Sequence, residues 1–320
     1  MNTQIKLAII AIAIVIPLAS LAITQTNSTS NNSTNENSKL QVVASATFLY
    51  EFSQNIGKEM IDVTLLVPMG ADPHDWEPTI RDTERLQKAD MIIVNGIGYE
   101  HWLNSLELSD IAGILVDTSN GISTLDSANH DEEKHDDHAK EDGHDDEDNH
   151  NHGVLDPHIW LNPVFAQLQV KNIANALSNS DPTNKNYYQS NAAIYNQKLN
   201  LLDTKIRTEL SGCKTDFITF HDAFSYFSEE YGLTQHTIIS STDSHGDVTP
   251  KTLEHIISLA RKLNIKVIFA EENTSTKTSQ VIADEIGGKV LVLSPLEIVS
   301  DETYVEKMTQ NLESLKDALC

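Results

Sequence analysis

The sequence predicts an α/β fold: two similar Rossmann-like lobes with parallel sheets, joined by a long rigid helix. Three observations carry this expectation. Short β-branched runs alternate with amphipathic stretches, the alternation occurs twice, and a mostly helical region separates the two occurrences. In the first half, Leu40 to Phe48, Val63 to Val67, Met91 to Asn95 and Ile114 to Asp117 read as strands. In the second, the strands are Phe217 to Phe220, His236 to Ile239, Lys266 to Ala270 and Lys289 to Leu293. Helical patterns at Phe224 to Tyr231, Pro250 to Leu263 and Lys277 to Ile286 lie between them, which is the order of crossover connections. In the middle region Tyr195, Leu199, Leu202 and Ile206 fall at helical spacing, and Asp181-Pro182 reads as a cap followed by a first helical residue. One helix from about Pro182 to Leu210 therefore connects the lobes and would limit hinge opening.

These patterns divide the chain into an N-terminal lobe at 40–162, a helical connector at 163–212 and a C-terminal lobe at 213–320. With 320 residues and 39% hydrophobic content, each lobe can bury a core of its own. Residues 1–23 contain an uncharged apolar run from Leu7 to Ile23, which suits a signal peptide or a membrane anchor, and Ser20-Leu21-Ala22 is a small-residue cleavage candidate. No Cys follows the run to accept a lipid, so the apolar segment itself is the expected attachment to the membrane. Residues 24–39 are a polar, disordered tether, with sequons at Asn27, Asn31 and Asn32. The expected protein is a monomer outside the cytoplasm, at the cell surface or in a periplasm-like space.

The formal charge of −25, from 47 acidic and 22 basic residues, excludes nucleic acid as a partner and favours cations. Much of it is local. Residues 130–152 hold eleven Asp or Glu together with His130, His135, His138, His144, His150 and His152, in a stretch without apolar periodicity. Such a segment reads as a flexible, exposed loop offering many weak metal ligands. The two cysteines, Cys213 and Cys320, lack a partner at metal-ligand spacing, and an oxidising compartment would allow them to pair.

The tripeptide Asp-Pro-His occurs twice, at Asp72-Pro73-His74 and at Asp156-Pro157-His158, each time with a Trp two residues on. Proline fixes the backbone before each His, and Pro78 and Pro163 suit the first turns of following helices. Both His side chains are thus expected on ordered loops at sheet edges, where open α/β folds place ligands. His221 closes the strand Phe217 to Phe220 and is a third candidate. Three imidazoles from separate loops suit Zn²⁺ and leave a position for a carboxylate. Glu297, in Leu-Ser-Pro-Leu-Glu after the last strand, occupies a loop of the corresponding kind, with Glu271 or a water as alternatives.

On these residues the chain resembles the cluster A-I solute-binding proteins of ABC transporters, which carry zinc and manganese. The resemblance rests on Asp-Pro-His-Asp-Trp-Glu-Pro at 72–78, Asp-Pro-His-Ile-Trp-Leu-Asn-Pro at 156–163, Phe-His-Asp-Ala-Phe-Ser-Tyr-Phe at 220–227, Val-Ile-Phe-Ala-Glu-Glu-Asn at 267–273 and Leu-Ser-Pro-Leu-Glu at 293–297. It implies a metal between the lobes, ligated by His74, His158 and His221, and delivery to a membrane permease with its ATPase. Many relatives carry Asp where this chain has Ser294, while others share its Pro-Leu-Glu, and that likeness implies Glu297 as the fourth ligand. The 130–152 loop is similar to the His-rich loop of zinc members. The implied function is high-affinity capture of Zn²⁺, as transported ligand, for an importer. Rival readings are a Mn²⁺ or Fe²⁺ carrier of the same class, a zinc-dependent hydrolase and a metal-binding adhesin. No His-Glu-x-x-His helix, nucleophile elbow or phosphate loop supports catalysis, so an enzyme is not expected. His101, His236 and His255 read as surface or packing residues, and His245, in a loop that could reach the cleft, is not counted among the ligands.

Overall fold

The structure, a computed structural model, describes residues 39–68, 71, 73, 75–106, 111–125, 155–239, 248–272 and 276–320. His74, His245, the 130–152 loop and the proposed signal or anchor with its tether up to residue 38 lie outside the described residues. Among the described residues no helix is long and apolar enough to cross a membrane.

The first half contains β1 (Leu40–Ala44), α1 (Thr47–Gly57), β2 (Ile61–Leu65), α2 (Ile80–Lys88), β3 (Met91–Val94) and β4 (Ile114–Asp117). Two helices follow, α3 (Pro163–Ser180) and α4 (Lys185–Leu210). The second half contains β5 (Asp216–Thr219), α5 (Ser225–Tyr231), β6 (Thr234–Thr237), α6 (Pro250–Leu263), β7 (Val267–Ala270), α7 (Lys277–Ile286), β8 (Lys289–Val292) and α8 (Tyr304–Leu319). The pairings of these eight strands are parallel, in the orders β2-β1-β3-β4 and β6-β5-β7-β8, so both halves share one topology. In each sheet the order reverses beside the first strand. The crevice beyond the carboxyl ends of β1/β3, and its counterpart at β5/β7, are the positions where open α/β sheets receive ligands.

Alternate residues of the central strands β1, β3, β5 and β7 face opposite ways and are buried on both faces, as parallel sheets require. Val42 and Ile93 point to one side of the first sheet, Val43 and Ile92 to the other. Phe217 and Ile218 divide in the same way in the second sheet. One apolar cluster takes one face of each sheet and the buried stripe of α4, formed by Tyr188, Tyr195, Leu199, Leu202 and Ile206. That shared core, rather than the helix alone, joins the halves. Buried polar ties reinforce it: Tyr195 Oη of α4 and the Tyr304 amide of α8 donate to the two oxygens of Glu51 on α1, each at 2.7 Å.

Several expectations shift in detail, and the strands expected at Val63 to Val67 and His236 to Ile239 each lie two residues earlier, at β2 and β6. The first strand ends at Ala44, and Thr47 already begins α1, because Phe48, Leu49, Phe52 and Ile56 form a buried helical stripe that an extended chain would turn to both sides. Pro78 lies just ahead of α2, whose cap is Thr79, whereas Pro163 is the first residue of α3. The connector begins as a 3-10 turn at Pro182–Asn184, capped by the Asp181 carboxylate accepting from the Asn184 amide, and becomes α-helical at Lys185. The structure also pairs Cys213 with Cys320, tying the end of α8 to the entry of β5.

Candidate metal centre

His158 is reached through the Asp-Pro-His turn. The Asp156 carboxylate accepts from the His158 amide at 2.9 Å, an Asx turn, and the same oxygen meets His158 Nδ1 at 2.7 Å. The turn is fastened to the first sheet, since Asn95 at the end of β3 donates through Nδ2 to the Pro157 carbonyl at 2.8 Å. Asn95 in turn accepts from Gln169 of α3, and its amide donates to the buried Glu100 carboxylate. Burial pushes Glu100 up to about 7, against the hydrogen bonds it accepts from Ser45, Asn95 and Gly96. Beyond His158, Trp160 is fully buried and stacks on Phe48 at 4.4 Å between ring centres.

His221 stands just past the end of β5, at the reversal of the second sheet. Glu271, one residue past β7, meets its Nδ1 at 2.5 Å and accepts from its amide at 3.3 Å. Glu297 comes from the loop after β8, where Leu296 sits in the left-handed region at φ 62°.

The consequence is that both rings turn their Nε2 atoms to the same point. These lie 3.5 Å apart, and His158 Nε2 is 3.5 Å from Glu297 Oε1. One ligand atom from each of His158, His221 and Glu297 falls within 4.8 Å of the others. The imidazoles are 0% and 1% exposed and the Glu297 side chain 8%, so the three groups form a dry cluster. Two nitrogens on a tetrahedral Zn²⁺, each about 2.05 Å from the metal, stand about 3.3 Å apart, close to the separation here. Burial opposes charging His158, but Asp156, through its charge and hydrogen bond, and then Glu297 outweigh it and push the imidazole up to about 10. The site therefore favours a cation, and a metal entering it displaces a proton.

Of the four ligands expected from the sequence, the structure brings together His158, His221 and Glu297, while His74 lies outside the described residues. Glu271, the alternative to Glu297, orients His221 instead. The carboxylate–imidazole pairs Asp156–His158 and Glu271–His221 were not read as such from the sequence. The first has a local signal, an Asp two residues ahead of a His. The second joins residues 50 apart and has none. His101 faces Glu77 at 3.6 Å, His236 faces Asp216 at 3.0 Å, and His255 is exposed on α6.

Residues 42–318 match the family model of the periplasmic zinc-uptake complex component A, ZnuA. The chain is 41% identical over 293 residues to the high-affinity zinc uptake system protein ZnuA of Bacillus subtilis (strain 168), covering 89% of each. The crystal structure of the metal-dependent lipoprotein YcdH from Bacillus subtilis superposes with a TM-score of 0.72 at 37% identity, over 88% of this chain and 99% of that one. Zn(II)-bound AdcA from Streptococcus pneumoniae superposes with a TM-score of 0.72 at 29% identity, over 88% of this chain and 57% of that one, so this chain spans little more than half of AdcA.

Proposed function

Given that the chain belongs to the family of the periplasmic zinc-uptake component, we propose that it binds Zn²⁺ outside the cytoplasm and hands it to the permease and ATPase of an ABC importer. The observation that carries this reading is the convergence of His158 Nε2, His221 Nε2 and the Glu297 carboxylate in a buried cluster, with each ring held from behind by a carboxylate. His74 supplies the fourth ligand. Three imidazoles and one carboxylate favour Zn²⁺ over Mn²⁺, whose preference is for oxygen. The four groups complete a tetrahedral shell, so no position is left for the water that a zinc hydrolase activates, and the protein binds without catalysing. The 130–152 loop collects metal near the site, and the apolar segment of residues 7–23 holds the monomer at the membrane.

Zinc-edge anomalous diffraction from crystals of the loaded protein tests the ligand set. The expected map has one peak bonded to the Nε2 atoms of His74, His158 and His221 and to Glu297. A peak coordinated through Nδ1, or lying away from this cluster, contradicts the reading.

A further inference from the structure

Glu297 differs from the two histidines in how it is held. Each imidazole has a carboxylate behind it, and the Asp156–His158 pair comes from a single turn. The Glu297 loop is instead fastened by its backbone. Asn311 of α8 clamps Ser294 at both ends, accepting from its amide and donating to its carbonyl at 2.7 Å each. The next two carbonyls are held by the first half of the chain: Pro295 accepts from Trp160 Nε1 at 2.8 Å, and Leu296 accepts from the Thr47 hydroxyl at 2.9 Å.

Leu296 is the residue under strain. Its φ of 62° places a side chain with a Cβ in the left-handed region, which is costly away from glycine. It is also only 4% exposed, and its amide reaches the Ser294 hydroxyl at 3.2 Å, near the long end for a hydrogen bond. Thr47 contributes from the other side of the interface. It is the first residue of α1, whose cap position is Ala46 with no side-chain cap. Its hydroxyl stands one residue beyond the position from which a side chain caps a helix, so it can serve another partner. Here it is directed 249 residues along the chain, to the carbonyl of the strained residue.

We propose that Thr47 is a positioning residue for the metal site: its bond to Leu296 keeps that residue left-handed and so presents Glu297 to the metal only while the two sheets stay docked. Loss of the Thr47 bond lets Leu296 relax towards negative φ, and the carboxylate that follows it in the chain withdraws from the two imidazoles. Release would then begin at Glu297. This rests on the assignment of Glu297 as a ligand.

The test compares full-length protein with Thr47→Val, which keeps the shape and removes the donor, Thr47→Ser, which keeps the donor, and Glu297→Gln. Three quantities are measured: the rate of Zn²⁺ loss to excess chelator, the visible ligand-field bands of the Co²⁺-loaded protein, and the melting temperature without metal. Thr47→Val is expected to release Zn²⁺ roughly three- to tenfold faster, the effect of one hydrogen bond, with weakened Co²⁺ bands. Thr47→Ser is expected to release near the parent rate with parent-like metal-free melting, and Thr47→Val to melt at most a few degrees lower, the cost of one hydrogen bond in a chain of this size. A role in stability alone would lower melting and leave release unchanged, overturning the proposal. Parent-like release in Thr47→Val with fast release in Glu297→Gln also overturns it while leaving the ligand assignment standing. Parent-like release in Glu297→Gln removes that assignment, and the proposal with it. If Thr47→Val does not fold, Thr47→Ala carries the same comparison.

Discussion

Replacing Glu271 by Gln isolates what a carboxylate behind a ligand does for metal affinity. Glutamine keeps the shape, and its carbonyl can still accept from His221 Nδ1, so ring and tautomer stay in place while the charge is lost. In the parent, one Glu271 oxygen meets Nδ1 at 2.5 Å and the His221 amide at 3.3 Å. A hydrogen bond to a charged group is worth about 1.5–3 kcal/mol and a neutral one about 0.5–1.5 kcal/mol. The difference of about 1–1.5 kcal/mol corresponds to roughly tenfold weaker Zn²⁺ binding, at the lower edge of the 10–100-fold range typical of groups behind metal ligands. Competition against a chromophoric chelator at neutral pH measures it directly. Affinity within about twofold of the parent would refute the reasoning, because Glu271 would then contribute nothing to His221 as a donor. A loss beyond about a thousandfold would refute it differently, by making Glu271 a ligand in its own right.

Two predictions concern stability. Glu100 is fully buried and its carboxyl is raised from 4.5 to about 7, so between those pH values the folded protein holds a proton that the unfolded chain has lost. With more protons bound in the native state, stability falls as pH rises through this window, by about 3 kcal/mol at 1.36 kcal/mol per pH unit, and levels off above it. Denaturant titrations of metal-free Glu100→Gln should lack this decline, and a slope equal to the parent's contradicts the burial argument. The Cys213–Cys320 bridge spans 107 residues of sequence, and constraining so long a loop is worth about 3–5 kcal/mol in the chain-entropy model. The Cys213→Ser/Cys320→Ser double variant should melt well below the parent under oxidising conditions, whereas coincident melting would show that α8 and α4 hold the C-terminus without it.

Much of this architecture was legible in the sequence because it is periodic. Alternating β-branched runs and amphipathic stretches marked both sheets, and the helical patterns at Pro250 to Leu263 and Lys277 to Ile286 have the bounds of α6 and α7. The start of α1 was less legible, since Thr47-Phe48-Leu49 is as apolar and β-prone as the strand before it, and only the burial of Phe52 and Ile56 shows which period applies. The side chains that gather at the centre were also visible, because a repeated Asp-Pro-His and a His at a strand end carry local signals. What fixes their orientation was not. Asn95 reaches Pro157 across 62 residues, Glu271 reaches His221 across 50, and Thr47 reaches Leu296 across 249. These contacts arise from the reversal of strand order within each sheet and from the packing of the two halves, neither of which leaves a pattern in neighbouring residues.

Calorimetric titration of metal-stripped protein with Zn²⁺ tests the central claim most directly, in the full-length chain, in a variant lacking residues 130–152 and in His158→Ala. The account expects one tight site that persists without the loop and disappears in His158→Ala. Loss of all Zn²⁺ binding with the loop, or tight binding that survives His158→Ala, would contradict it.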